Sequence, residues 1–395
     1  MILSFFDATM VASMYLSFVR KLIPPALARL FPGRGPFLWL VRTFATAFGL
    51  LILDAAHAAA PQFAEVRPDT PIVFPRDFGS HPAYRTEWWY ATGWLATPDG
   101  KPLGFQVTFF RSATAHDAAN PSRFAPKQLL FAHAALSDPA GGRLLHDQKS
   151  AREGFGLAFA REGNTDVALG DWSFVRAADG SYSAVAKARE FTLSLKLAPS
   201  QPPLLEGEQG YSRKGPKPEQ ASHYYSEPHL RVRGEILRDG KAIAVTGEAW
   251  LDHEWSTAYL DPDASGWDWL GANLDDGAAL MAFRIRDRKG ATLWAHATLR
   301  DASGRLRQYA IDELRFSPVR KWRSPHTNAE YPIGMRIDTG DASWLLVPLQ
   351  DDQELDARMS TGSVYWEGAV TVQRDGRDAG HGYLELTGYW KPLKL

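Results

Sequence analysis

The chain has 395 residues and a formal net charge of −1, with 45% hydrophobic and 12% aromatic residues, including 14 Trp. That is material for two or three domains with a sizeable core, and the scattered Lys and Arg residues form no basic stripe, so no nucleic-acid partner is expected. The absence of cysteine excludes thiol nucleophiles, thiolate metal sites and disulfides.

Residues 1–60 read as a leader. Arg42 precedes an apolar run over 44–53, too short for the roughly 20 apolar residues that span a bilayer, and the small residues ending in Ala58-Ala59-Ala60 suit signal peptidase. Cleavage there removes five basic and two acidic residues and takes the net charge from −1 to −4. A periplasmic or secreted protein is expected. The alternative is an uncleaved anchor that includes residues 1–19, and only through the leader would the protein meet a membrane.

From Pro61 onward, short alternating runs are separated by turn residues. The first is Thr86-Glu87-Trp88-Trp89-Tyr90-Ala91-Thr92-Gly93-Trp94, followed by the turn Pro98-Asp99-Gly100. Strand parity puts Glu87, Trp89 and Ala91 on one face, and Trp88, Tyr90, Thr92 and Trp94 on the other. Trp on both faces implies a barrel wall covered on both sides. The runs 103–111, 191–197, 229–237, 279–286, 364–373 and 382–390 also read as strands, and no amphipathic helix of ordinary length follows residue 60. The fold class is all-β.

An internal repeat divides it. Phe131-Ala132-His133-Ala134-Ala135-Leu136 matches Trp294-Ala295-His296-Ala297-Thr298-Leu299, and the stretch from Trp89 to Arg111 corresponds loosely to that from Trp269 to Arg286. The expected organisation is therefore two tandem barrels, over 61–240 and 241–395. Residues repeated in both halves are most economically requirements of the fold, which makes His133 and His296 wall histidines. The Pro- and Gly-containing stretch 199–218 is a boundary or a functional loop.

Candidate site residues lie where the halves differ. If 247–255 is a strand, Glu248, Trp250, Asp252 and Glu254 share one face, and Leu251, His253 and Trp255 share the other. An acidic face of this kind is either solvated or, inside a barrel mouth, a set of carboxyls whose burial makes a proton donor. Asp252 is the donor candidate, with Glu254 or His253 orienting it or activating water. Tyr224, Tyr225, His229, Trp250, Trp267, Asp268 and Trp269 are the candidate pocket residues, since apolar pockets combine aromatic walls with a few convergent polar groups. Glu87 is read as structural, held by an arginine such as Arg85 or Arg111. No Gly-x-Ser-x-Gly elbow, His-Glu-x-x-His motif or phosphate loop is present, and His223, His229, His253 and Asp252 lack metal-ligand spacing. Neither a metal nor a cofactor is expected.

The motifs Phe74-Pro75-Arg76-Asp77, His81-Pro82, Thr86 to Tyr90, Tyr224-Tyr225-Ser226, Trp250 to Ser256, Gly266 to Trp269, Trp366-Glu367-Gly368 and Tyr383 to Tyr389 resemble the AttH-type lipocalin-like family, which also takes in the carotenoid 1,2-hydratases. The resemblance covers residues 70–391. It implies two lipocalin-like β-barrels, an apolar small-molecule ligand of isoprenoid or lipid type, and an Asp matching Asp252 that protonates an isolated alkene. It also implies other candidates: a hydrolase, or a non-catalytic lipid carrier or accessory protein of an ABC transport system. The residues His253 to Ser256 and Gly266 to Trp269 follow the secreted, uncharacterised branch rather than the hydratases.

Overall fold

The computed structural model describes residues 63–393, apart from 115–119, 123 and 259. The leader expected over 1–60 lies outside the described residues, and no helix among those described is long and apolar enough to cross a membrane.

The opening aromatic run forms the Thr86–Ala96 strand and pairs with Pro102–Ala113 as a hairpin. Gly100 sits at φ +80° in the connection, a conformation that costs glycine nothing. Two antiparallel sheets follow, each curled around its own apolar core. Across the first, the strands run Leu144–Arg152, Gln128–Ser137, Pro102–Ala113, Thr86–Ala96, Lys241–Ser256, Ala221–Arg238 and Thr192–Ala198, then on through the shorter strands between Ala158 and Lys187. Across the second they run Leu306–Tyr309, Thr292–Arg300, Ala279–Asp287, Ala264–Leu274, Arg377–Leu386, Ser363–Arg374 and three further strands. The first six positions of each series have the same connectivity. That is the duplicated barrel.

One boundary differs from the expected 240/241 division. Lys241–Ser256 pairs with both Thr86–Ala96 and Ala221–Arg238, so it closes the first sheet, and the chain crosses to the second between Ser256 and Ala264. The turn Asp239-Gly240 looks like a boundary because it is a tight hairpin, a signal that says nothing about which sheet the second arm joins.

His133 and His296 lie on matching strands. The loose alignment of the opening strands shifts by one residue: Trp89 packs in the first core and Leu270 in the second, whereas Trp88 and Trp269 both face a third apolar cluster. Glu87 therefore matches Asp268. Each is a buried acid paired across the strand with an arginine, Arg111 at 2.8 Å and Arg284 at 2.6 Å.

The third cluster is the seam between the sheets. It joins Tyr90, Tyr224 and Trp250 of the first sheet to Trp269, Met281, Phe283, Ala369 and Tyr383 of the second. Both faces of the Thr86–Ala96 wall are thus covered, one by its own core and one by the seam.

Candidate active site in the seam between the sheets

The site grows from the alternation of two neighbouring strands. In Lys241–Ser256, Trp250, Asp252 and Glu254 point into the seam, while Leu251 packs in the first core and His253 bonds to Glu87 inside the first barrel. Its partner strand sends Tyr224 and Ser226 into the same seam, opposite Glu254 and Asp252 in the register.

Asp252 is 4% exposed. Tyr224 Oη donates to its Oδ2 at 2.7 Å, and Trp250 Nε1 donates to Oδ1 at 2.6 Å. Ser226 Oγ lies 2.6 Å from Oδ1. The second sheet reaches in through Trp269, whose Nε1 donates to Tyr224 Oη at 3.1 Å. Burial pushes the Asp252 carboxyl up to about 7, against the lowering effect of these three hydrogen bonds. A carboxyl in that range can hold a proton near neutrality and give it up.

Two residues that sequence reasoning passed over complete the surroundings. The stretch 199–218 is structured: Leu204–Leu205 and Tyr211–Arg213 pair with Ala221–Arg238, and the segment carries Glu206 and Lys214 into the seam. Glu206 is fully buried, and its Oε1 is 3.1 Å from Ser226 Oγ. Burial, with a contribution from the charge of Asp252, pushes it up to about 8. Lys214 Nζ meets Glu254 Oε1 at 3.1 Å and lies over the rings of Tyr224 and Phe283 at 4.5 and 4.2 Å. Such a box suits a cation taken out of water. Nothing in the sequence signalled either residue, because each lies just beyond the end of a very short strand.

Further buried acids line the seam. Tyr90 Oη donates to Glu367, and Trp267 Nε1 donates to Glu385 Oε2 at 3.0 Å. Burial pushes Glu385 up to about 7. A cavity of about 350 Å³ is bounded by Trp94, Trp250, Gly271, Asn273, His381 and Tyr383; Asp252 does not line it and lies behind Trp250. That volume is at the small end of ligand sites. Trp250 is shared: its ring walls the cavity and its N–H holds Asp252.

Of the expected residues, the structure brings together Tyr224, Trp250, Asp252, Glu254, Trp267 and Trp269. Four lie elsewhere. Tyr225 and His253 alternate onto the opposite face of their strands, inside the first barrel, where His253 Nδ1 is 3.1 Å from Tyr225 Oη and its Nε2 is 2.9 Å from Glu87. Asp268 turns into the second barrel, held by Arg284, Arg286 and Tyr389 Oη. His229 lies within the bulge between Glu227 and Leu230 and rests on Glu248, Asn273 and Ala278.

His81, Glu87 and His253 bring possible metal-ligating atoms within 4.8 Å of one another. The carboxylate is already held by Arg111, Ser80, the His81 backbone N–H and both imidazoles. The guanidinium supplies the positive charge that a cation would bring, and the group fits a buried ion-pair network.

Two linked antiparallel barrels that meet in an aromatic seam define a class of lipocalin-like proteins. The AttH-like family model matches residues 65–389. The chain belongs to the AttH-like family. It is 60% identical to an AttH candidate of known structure from Nitrosomonas europaea, with 83% of this chain and all of that chain covered and a TM-score of 0.79. Its fold is similar to that of kievitone hydratase from Nectria haematococca, at 14% identity, with 83% of this chain and 97% of that one covered and a TM-score of 0.63. It is also similar in fold to CghA bound to Sch210972, at 15% identity, covering 84% and 96% and with a TM-score of 0.51. No curated protein matches the sequence.

Proposed function

We propose that the seam is the active site of an enzyme that adds water to a carbon–carbon double bond of a hydrophobic small molecule of isoprenoid or lipid type, with Asp252 as the proton donor. The observation that carries this reading is the Asp252 carboxyl itself. It is buried, its oxygens are held by Tyr224, Trp250 and Ser226, it is poised near neutral pH, and Trp250, which holds it, also walls a cavity. The indoles of Trp250 and Trp269 offer π faces to a cation formed on protonation. The hydratase that shares the fold is consistent with this chemistry.

The test is turnover by the purified protein of squalene, geranylgeraniol and a lipid ester, followed by mass spectrometry in ¹⁸O-labelled water. Asp252→Asn should abolish label incorporation into alcohol, by about 10²-fold or more, while the fold is kept. Tight lipid binding without turnover, unchanged in Asp252→Asn, would instead support the carrier or transport-accessory role. For localisation, the series Arg42, 44–53 and Ala58 to Ala60 supports export. N-terminal sequencing of the protein from cell fractions checks it, and a cytoplasmic pool retaining 44–53 would refute it.

A further inference from the structure

Asp252 can give a proton only once unless something returns it. The seam contains one arrangement suited to that task. Ser226 Oγ stands between two carboxyls, 2.6 Å from Asp252 Oδ1 and 3.1 Å from Glu206 Oε1. A hydroxyl has one proton to donate, so it can serve both oxygens only if one carboxyl is itself protonated and donates to it. Glu206 Oε2, fully buried, has no partner in good hydrogen-bond geometry among the described residues, although the Thr298 side chain comes near enough to favour the charged carboxylate. An unpartnered carboxyl oxygen in such a place needs an occupant.

Resting on the reading of the seam as an alkene-hydrating site, we infer that Glu206 is its second acid–base residue, exchanging one proton with Asp252 through Ser226 Oγ and taking the proton of the attacking water on Oε2. The pair carries one proton at the start. It passes from Glu206 Oε1 to Ser226 Oγ as the Ser226 proton passes to Asp252. Asp252 then gives its proton to one alkene carbon: a C–H bond forms and the π bond breaks. Water oxygen bonds to the adjacent cationic carbon, and its surplus proton goes to Glu206. The product is an alcohol, and the pair again holds one proton.

The groups facing Glu206 agree with this assignment. Asp252 and Tyr224 approach from the two central strands, Lys214 from its own segment, and Thr298 and Arg300 from the second sheet; Thr298 and Lys214 favour the carboxylate, and burial outweighs them. Lys214 is engaged by Glu254, and neither carboxyl of the pair has a salt-bridge partner among the described residues. Two carboxyls that share a hydroxyl without a cation cannot both ionise cheaply. The backbone fixes the position of Glu206: its N–H donates to the Tyr224 carbonyl at 3.1 Å, and its own carbonyl accepts from Gly210 N–H at 3.1 Å.

Difference infrared titration of the full-length protein tests the pairing without any substrate. Glu227 and Glu385 also titrate near neutrality, so the pair is read from difference spectra between wild type and variants: Glu206→Gln should delete the highest carboxyl step, and Asp252→Asn should lower its midpoint. An upper step with the same midpoint in Asp252→Asn as in wild type would overturn the pairing. With squalene and geranylgeraniol as probes, Glu206→Gln should lower kcat by about 10²- to 10⁴-fold with little change in KM. Ser226→Ala should slow turnover while both titrating carboxyls remain. Wild-type turnover matched by Glu206→Gln would overturn the catalytic role alone. A wild type inert toward every alkene would remove the hydratase reading, and the role of Glu206 within it, while the titration judged the pairing separately.

Discussion

At the scale of single residues, two buried acids on adjacent elements behave in opposite ways because of what surrounds them. Burial acts to raise Glu87, but hydrogen bonds from His253 and His81 and the charge of Arg111 hold its carboxyl well below the usual range. Asp252 and Glu206 have hydroxyls and an indole for company, and burial wins. Glu87→Gln should therefore cost about 3 kcal/mol, because it leaves Arg111 buried and unpaired; urea unfolding measures it, and activity should fall only as stability falls. Full stability with no activity would show that Glu87 acts in the chemistry. Alternation made the placing of Trp250, Asp252 and Glu254 readable from the sequence. It also counted against Tyr225 and His253, which are odd-numbered neighbours on the same strands and so belong to the other face. Glu206 and Lys214 were not readable, since each directly follows a strand of only two or three residues, too short to offer a period.

At the scale of elements, close approach of the sheets depends on small residues where aromatic rings cross. A Cβ at Gly271 would come within 2.5 Å of the Trp269 ring and 2.9 Å of the Trp250 ring. Gly271→Val should therefore displace Trp250 from Asp252 and cut activity more than stability, by about tenfold or more for an ångström-scale misplacement. Near-ultraviolet circular dichroism of the indoles would follow the displacement. The Gly271 position matches Tyr90 of the first barrel, where the ring instead crosses the seam to Glu367. The repeat was easiest to find in the two histidines, which hold matching strand positions although their bonding has diverged: His133 reaches Tyr365 and Ser360 of the second half, whereas His296 reaches Thr298 of its own strand. The 240/241 division failed because hairpin turns occur within a barrel as readily as between barrels.

At the scale of the whole molecule, the buried groups set a pH dependence of stability. Glu206 is held at about 8, and Asp252, Glu227 and Glu385 at about 7, all by burial. In the unfolded chain they titrate near about 4. Between pH 6.5 and 8 the folded protein therefore holds protons that the unfolded chain has lost, and stability falls as pH rises. His81 and His229, whose protonated forms are favoured by their carboxylate partners over the opposing effect of burial, add to the fall in that window. Below about 6.5 the buried neutral histidines His133, His223, His253 and His296 oppose the acids, because the unfolded chain protonates them first. The urea midpoint should thus be lower at pH 8 than at pH 6.5, and Glu206→Gln should shrink the difference. An equal midpoint at the two values would show that these carboxyls are ionised in the fold.

The crossing hydrogen bonds of the seam bear on how the two halves depend on each other. Tyr90 of the first barrel donates to Glu367 of the second, and Trp269 of the second donates to Tyr224 of the first. Neither barrel owns the acid's surroundings, and each presents the other with a wide oily face. A nick in the chain between Ser256 and Ala264 should leave two fragments that travel together through a sizing column. Either fragment made alone should lack a partner for that face and pair with its own copies instead. Duplication followed by divergence would then have turned a sticky self-association into a division of labour between unequal twins, with one copy bringing the acid and the other closing the room around it.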